Sequence, residues 1–159
     1  MKKVFVLGSI NTDYRISVDR MPTVGESKVG HDFAYGQGGK GANQAVACKK
    51  LGCEQVYLLA CVGNDDSGAE LKRSVAGYGV DVSAVTETDA IQSGACFIVL
   101  NDELKDNYLI VDKGANMAVD PLSVTRFLAD NASKGDVFIS QLEVNIDAVI
   151  NGFQTAKSL

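Results

Sequence analysis

The sequence predicts an α/β fold: a central, mostly parallel sheet flanked by helices, plus a small antiparallel β layer. Three observations predict it. Short uninterrupted apolar runs, Val4-Phe5-Val6-Leu7, Val56-Tyr57-Leu58-Leu59-Ala60-Cys61-Val62 and Asp136-Val137-Phe138-Ile139-Ser140, read as strands buried on both faces, with helical periodicity between them. A glycine-rich loop, Gly36-Gln37-Gly38-Gly39-Lys40-Gly41, turns abruptly into a helix-forming run. Two further stretches alternate apolar and polar residues, so they have one wet face and do not belong in the middle of the buried sheet.

In chain order, residues 4–7 form the first strand, and Gly8-Ser9 turns the chain at its carboxyl end. Ile10-Asn11-Thr12-Asp13 follows, with polar groups where open α/β sheets hold their ligands; an Asx-turn without a partner is the plainer reading. Tyr14-Arg15-Ile16-Ser17-Val18-Asp19-Arg20 alternates, and Val29, His31, Phe33 and Tyr35 resume the alternation after the turn at Met21-Pro22-Thr23-Val24-Gly25. Both belong to the covering layer.

The glycine loop then feeds the helix of residues 42–51, which has Lys49 and Lys50 in its last turn and Gly52 as its cap. Unpaired N–H groups and the positive dipole end face whatever docks at its start. Lys40 and Asn43 stand there, three apart and on one side of the first turn. A tight turn that only lets the helix approach the sheet closely would use the same glycines.

Residues 56–62 are the second buried strand, and the cluster Asn64-Asp65-Asp66-Ser67 caps a helix with Leu71, Val75 and Tyr78 on one face. A short strand near residues 80–86 returns the chain. Residues 94–100 and 107–111 flank Asn101-Asp102-Glu103 as a second hairpin of the covering layer. After the polar loop Asp112-Lys113-Gly114-Ala115-Asn116, Asp120 and Pro121 start a helix through Ala129 with Val124, Phe127 and Leu128 facing in. The third buried strand ends in Gln141-Leu142-Glu143. Ile146, Val149, Ile150 and Phe153 then keep helical spacing with no closing signal before Leu159, so the sequence is expected to stop inside a fold.

Composition narrows the function classes. The chain has 159 residues, 46% hydrophobic, enough for one domain with a real core. Its net charge of −5, without like-charge blocks, argues against a nucleic-acid footprint or an anionic membrane surface. No apolar run approaches the roughly 18 residues of a spanning helix, and Met1-Lys2-Lys3-Val4 runs into a strand-like segment and does not read as a signal peptide, so a cytoplasmic location is expected. Cys48, Cys53, Cys61 and Cys96 form no CxxC pair and read as small buried thiols of a reducing compartment rather than a metal or redox site. His31, the only histidine, makes no metal site by itself. A P-loop fails because Ala34 stands where its first glycine belongs and Gly41 follows Lys40; a Rossmann fingerprint fails because Gly8-Ser9-Ile10-Asn11 lacks GxGxxG.

With Gly38-Gly39-Lys40-Gly41-Ala42-Asn43-Gln44-Ala45, Gly8-Ser9-Ile10-Asn11-Thr12-Asp13, Gly63-Asn64-Asp65, Lys113-Gly114-Ala115-Asn116 and Gln141-Leu142-Glu143 in order, the chain resembles the ribokinase-like (PfkB) family of carbohydrate kinases from Val4 to about Ala156. The resemblance implies that residues 1–159 are the amino-terminal part of one ribokinase-like α/β domain, with residues 14–36 and 93–111 as inserted lid strands. It implies ATP-dependent phosphorylation of a sugar hydroxyl, D-ribose to ribose 5-phosphate, with Mg2+. Any monovalent cation would be held outside this chain. In such kinases the match to Asp13 grips two sugar hydroxyls with Asn11 beside it, Gly39, Lys40 and Asn43 hold others, and the match to Glu143 closes the pocket. The chemistry agrees: a carboxylate accepts from vicinal hydroxyls, an amide both donates and accepts, and glycine backbone permits close approach. The resemblance further implies a lid that excludes water during phosphoryl transfer and that builds a homodimer in the family. One departure weighs heavily. The Gly-Ala-Gly-Asp segment that supplies the family's catalytic base and phosphate-facing helix start occurs nowhere here. The expectation is therefore a sugar-holding half with no catalytic residue of its own, inactive alone; a non-catalytic sugar-binding or interaction module that pairs with a separate chain is the alternative.

Overall fold

The computed structural model describes residues 2–159. The elements run β1 (Lys3–Leu7), β2 (Asn11–Val18), β3 (His31–Gly38), α1 (Lys40–Lys50), β4 (Gln55–Gly63), α2 (Asp66–Gly77), β5 (Val85–Thr88), β6 (Gly94–Asn101), β7 (Asp106–Asp112), a short 3₁₀ helix (Gly114–Ala118), α3 (Pro121–Asn131), β8 (Val137–Ser140) and α4 (Ile146–Ser158). Among the described residues they build two four-stranded sheets.

The first sheet, ordered β5-β4-β1-β8, is parallel throughout. Alternation along β1 and β4 divides the core between its faces. Val4, Val6, Val56 and Leu58 meet Ala42, Ala45 and Val46 of α1 and Leu71 and Val75 of α2. Phe5, Leu7, Leu59 and Cys61 meet Val124 and Leu128 of α3 and Ala148 and Val149 of α4. Phe5 is almost wholly buried and stacks on Tyr57 with ring centres 5.0 Å apart. Burying one such side chain stabilises the fold by about 1.5–3 kcal/mol, so these central strands anchor everything mounted at their carboxyl ends.

The second sheet, ordered β3-β2-β6-β7, is two antiparallel hairpin partnerships joined by a parallel pairing of β2 with β6. Its register sets Asp13 against Gly36 on one side and Cys96 on the other. Asn11 and Asp13 lie within β2 rather than in an Asx-turn, because the chain re-enters extended structure at once after Ile10. Two residues apart in a strand, they share a face.

Four local expectations change. The strand of residues 137–140 is not buried on both faces: β8 is the sheet edge, paired only to β1, and Val137 is 44% exposed. On α4, Val149 is buried while Ile146, Ile150 and Phe153 stay about half exposed, because β8 has no further strand beside it. Tyr78 is the C-cap of α2 rather than part of its inner face, and Lys50 lies over its ring at 5.0 Å. The strand expected near residues 80–86 begins later, at Val85.

Candidate functional site

Ser9 ends the run from β1 and is the hub of the site. Its carbonyl accepts the Ala42 N–H at 3.0 Å and its Oγ accepts the Lys40 N–H at 3.0 Å, so the start of α1 is held by the end of the central strand. Gly39 precedes the helix with φ 91°, and a Cβ there would come within 2.6 Å of the Ser9 carbonyl oxygen. Helix and strand approach so closely that a Cβ on Gly41 would meet the Gly8 backbone at 2.5 Å. These glycines serve close approach and also set Lys40 at the mouth.

Glu143 arrives from the loop after β8. Its Oε2 accepts from Ser9 Oγ at 2.8 Å and its Oε1 is ion-paired with Lys40 Nζ. Gln141 fixes the turn by accepting the Glu143 N–H at 2.6 Å. Burial pulls the Glu143 carboxyl upward, but the hydrogen bonds from Lys40 and Ser9 and the Lys40 charge outweigh it and leave it below its usual range.

Asp13 is the opposite case. Its carboxylate lies over Gly38, where any Cβ would overlap it, and accepts no hydrogen bond among the described residues. Burial first, and the negative Glu143 second, push it above the usual carboxylate range. A half-buried carboxylate without a donor is costly unless a ligand supplies one.

Asn11, 5% exposed, accepts from Asn116 Nδ2 at 2.7 Å through its Oδ1, and its own amide N–H groups remain unused among the described residues. Asn116 also accepts the Ile10 N–H at 2.8 Å and donates to the Lys113 carbonyl at 2.8 Å. Asn43, exposed on the first turn of α1, accepts from Gln37 Nε2 at 3.1 Å, and Gln37 also donates to the Gly38 carbonyl at 3.0 Å. The structure thus joins Lys40, Glu143 and the Gly39 turn directly, sets Asp13 within the electrostatic reach of Glu143, and gives Asn11 and Asn43 contacts with Asn116 and Gln37.

Sequence reasoning missed Ser9, Asn116, Gln141 and Cys96 as parts of this site. Cys96 is buried opposite Asp13, and burial, then Asp13 and Glu143, push its thiol up while Lys40 opposes them. The apolar run of residues 94–100, expected as a strand of the covering layer, was the available signal; its register against β2 was not. An open cleft of about 840 Å³ lies elsewhere, between Tyr14 and Tyr35 on the other face of β2 and β3 and Arg73 of α2, and none of the six expected residues lines it.

This arrangement, a polar cluster at the carboxyl ends of a parallel sheet beside a second sheet, lies where open α/β folds hold their small ligands. The family model described as pfkB family carbohydrate kinase matches residues 1–145. The chain is 34% identical over 156 residues to the ribokinase of Haemophilus influenzae, covering 98% of this chain and 50% of that protein. The solved ribokinase of Giardia lamblia superposes with a TM-score of 0.86 at 26% identity over 99% of this chain and 46% of that one. Arabidopsis thaliana ribokinase, solved with ribose and ATP, superposes with a TM-score of 0.80 at 24% identity, over 99% and 51% of the two chains. The chain belongs to the pfkB family of carbohydrate kinases and spans about half the length of the curated relatives it matches.

The described residues offer no ligand set for Mg2+. Among the described residues no three carboxylate, histidine or cysteine groups cluster around a possible metal, and Glu143 is already neutralised by Lys40. No helix among the described residues is long and apolar enough to cross a membrane.

Proposed function

We propose that this chain is the sugar-holding half of an ATP-dependent carbohydrate kinase that phosphorylates D-ribose to ribose 5-phosphate in the cytoplasm. The unsatisfied Asp13 carboxylate beside the Lys40–Glu143 pair carries the reading. Vicinal hydroxyls donate to Asp13, the free Asn11 and Asn43 amides donate to sugar oxygens, and Lys40 and Glu143 exchange part of their mutual contact for the ligand. The Gly39 backbone permits close approach. ATP, Mg2+ and the catalytic base belong to residues outside this chain.

The second sheet acts as the lid over Asp13. Its other face exposes Phe33, Tyr35, Phe97 and Ile110, each at least half exposed, which suits a homodimer formed through the lids. The unpaired edge of β8 and the half-exposed Ile150 and Phe153 also favour a complementary half beside them, in the same polypeptide or a separate one.

Calorimetry with D-ribose and a coupled ADP-release assay test the reading. Weak ribose binding that Asp13→Asn removes, with no turnover, is expected. Ribose-stimulated ADP production by the 159-residue chain would overturn its assignment as a half without a catalytic base, and ribose binding unchanged in Asp13→Asn would remove Asp13 from the site.

A further inference from the structure

At the far end of α1 from Lys40, the cap itself brings two cysteines together. Gly52 is left-handed, with φ 93°, and its N–H donates to the Lys49 carbonyl at 3.0 Å; the Cys53 N–H donates to the Cys48 carbonyl at 3.1 Å. With Leu51 as the C-cap, these two bonds are a Schellman motif. Cys48 is then the third residue back from the helix end, and Cys53 the second beyond the cap. Side chains at those two positions meet in this motif, ordinarily as an apolar contact. Here both are thiols.

Both thiols are half-buried against the same core cluster, the one that contains Val56 and Val80. Burial, and after it the neighbouring Cys53 thiol, raises the Cys48 thiol, as expected for one sulfur facing another. Cys61 and Cys96, by contrast, are separately buried in β4 and β6. The spacing Cys-x4-Cys is not a redox signature in a sequence; the helix cap makes it one.

We propose that Cys48 and Cys53 are a modifiable dithiol that closes to an intramolecular disulfide across the C-terminal cap of α1. The oxidant is a small-molecule disulfide. One thiolate attacks a sulfur of that disulfide and expels a small thiolate; the second protein thiolate attacks the mixed disulfide and expels the other. Two protein S–H bonds are lost and one S–S bond forms. The protons end on the two released small thiols, so the protein is oxidised by two electrons and the reagent reduced by two. The bond locks the cap of the helix whose opposite end presents Lys40 and Asn43. It stands independently of the sugar-binding reading.

The test uses the folded chain with oxidised glutathione at about pH 8, where thiolates are available. Remaining thiols are trapped with N-ethylmaleimide before digestion with trypsin without reductant. Lys49 and Lys50 lie between the cysteines, so trypsin separates residues 41–49 from residues 51–72 unless a disulfide holds them. The expected result is one cross-linked species joining these peptides through Cys48 and Cys53, with two of the four thiols lost together. Cys53→Ser should abolish the cross-link and leave a glutathione adduct on Cys48; Cys48→Ser should give the mirror result. Separate glutathione adducts on Cys48 and Cys53, a link through Cys61 instead, or four free thiols after a treatment that oxidises the unfolded chain would each overturn the proposal.

Discussion

Ser9 donates its hydroxyl to Glu143 Oε2 at 2.8 Å, across 134 positions of sequence, while the same oxygen accepts the first N–H of α1. One small residue at the end of β1 therefore fixes both the helix start and the acidic wall. Ser9→Ala should cost about 1–3 kcal/mol, since it strands a backbone donor and a carboxylate oxygen where Ser9 is 1% exposed. The check is the urea midpoint at constant slope; an unmoved midpoint would show that water replaces both bonds.

Asp13→Asn should separate stability from binding. The folded-state value of Asp13 is raised, so the native chain takes up a proton more readily than the unfolded one, and the ionised carboxylate subtracts from stability at neutral pH. Removing the charge should raise the ligand-free stability by roughly a few tenths of a kcal/mol, the effect being screened by solvent. Sugar affinity should fall by about tenfold or more, because a charged acceptor for hydroxyls is lost. Paired urea titration and calorimetry measure both. A less stable variant would show that the carboxylate has a protein partner.

Asn116 is as deeply buried as Ser9, at 1% exposure, and joins the 3₁₀ helix to Ile10, Asn11 and Lys113. Asn116→Ala should cost about 3 kcal/mol, from several buried groups left unpaired at once. Asn116→Asp should be no better, since it sets an acceptor against the Asn11 and Lys113 oxygens. Denaturant unfolding checks the first, and an Asp variant as stable as wild type would show that the Asn11 contact is not a hydrogen bond.

Much of this was legible in the sequence, for stated physical reasons. Val4, Val6, Phe5 and Leu7 cannot be arranged other than in a strand covered on both sides, and Asp65, Asp120 and Gly52 mark helix ends by local chemistry. Pairing across long separations was not legible. The parallel joining of β2 to β6 places Cys96 beside Asp13, and no local rule encodes that register. Asn116 looked like one polar loop residue among several because its partners Ile10 and Asn11 lie more than a hundred positions away. The edge position of β8 likewise depends on neighbours, not on its own apolar residues.

His31 should titrate as a clamp on the second sheet. Its Nδ1 lies 3.0 Å from Asp32 and its Nε2 3.0 Å from Asp102, so both ring nitrogens must carry protons to satisfy both carboxylates. Asp32 is held at φ 52°, and Asp102 follows the end of β6, so the imidazolium ties the start of β3 to the β6–β7 turn across β2. The hydrogen bond to Asp32 raises the His31 value most, partial desolvation of the ring opposes it, and the bond to Asp102 adds to the rise. A raised folded-state value means that the stabilisation is fully present below the ordinary histidine value of about 6.5 and is lost as pH rises through the folded value. As the only histidine, His31 gives one imidazole resonance to follow by proton NMR. Its midpoint should lie above about 6.5 and fall toward that value in Asp102→Asn. The urea midpoint of wild type should decline across the same window, and His31→Gln should flatten that decline. A wild-type midpoint at or below the ordinary value would mean that the two carboxylates do not hold the ring, and the second sheet would then have no pH-sensitive tie between its hairpins.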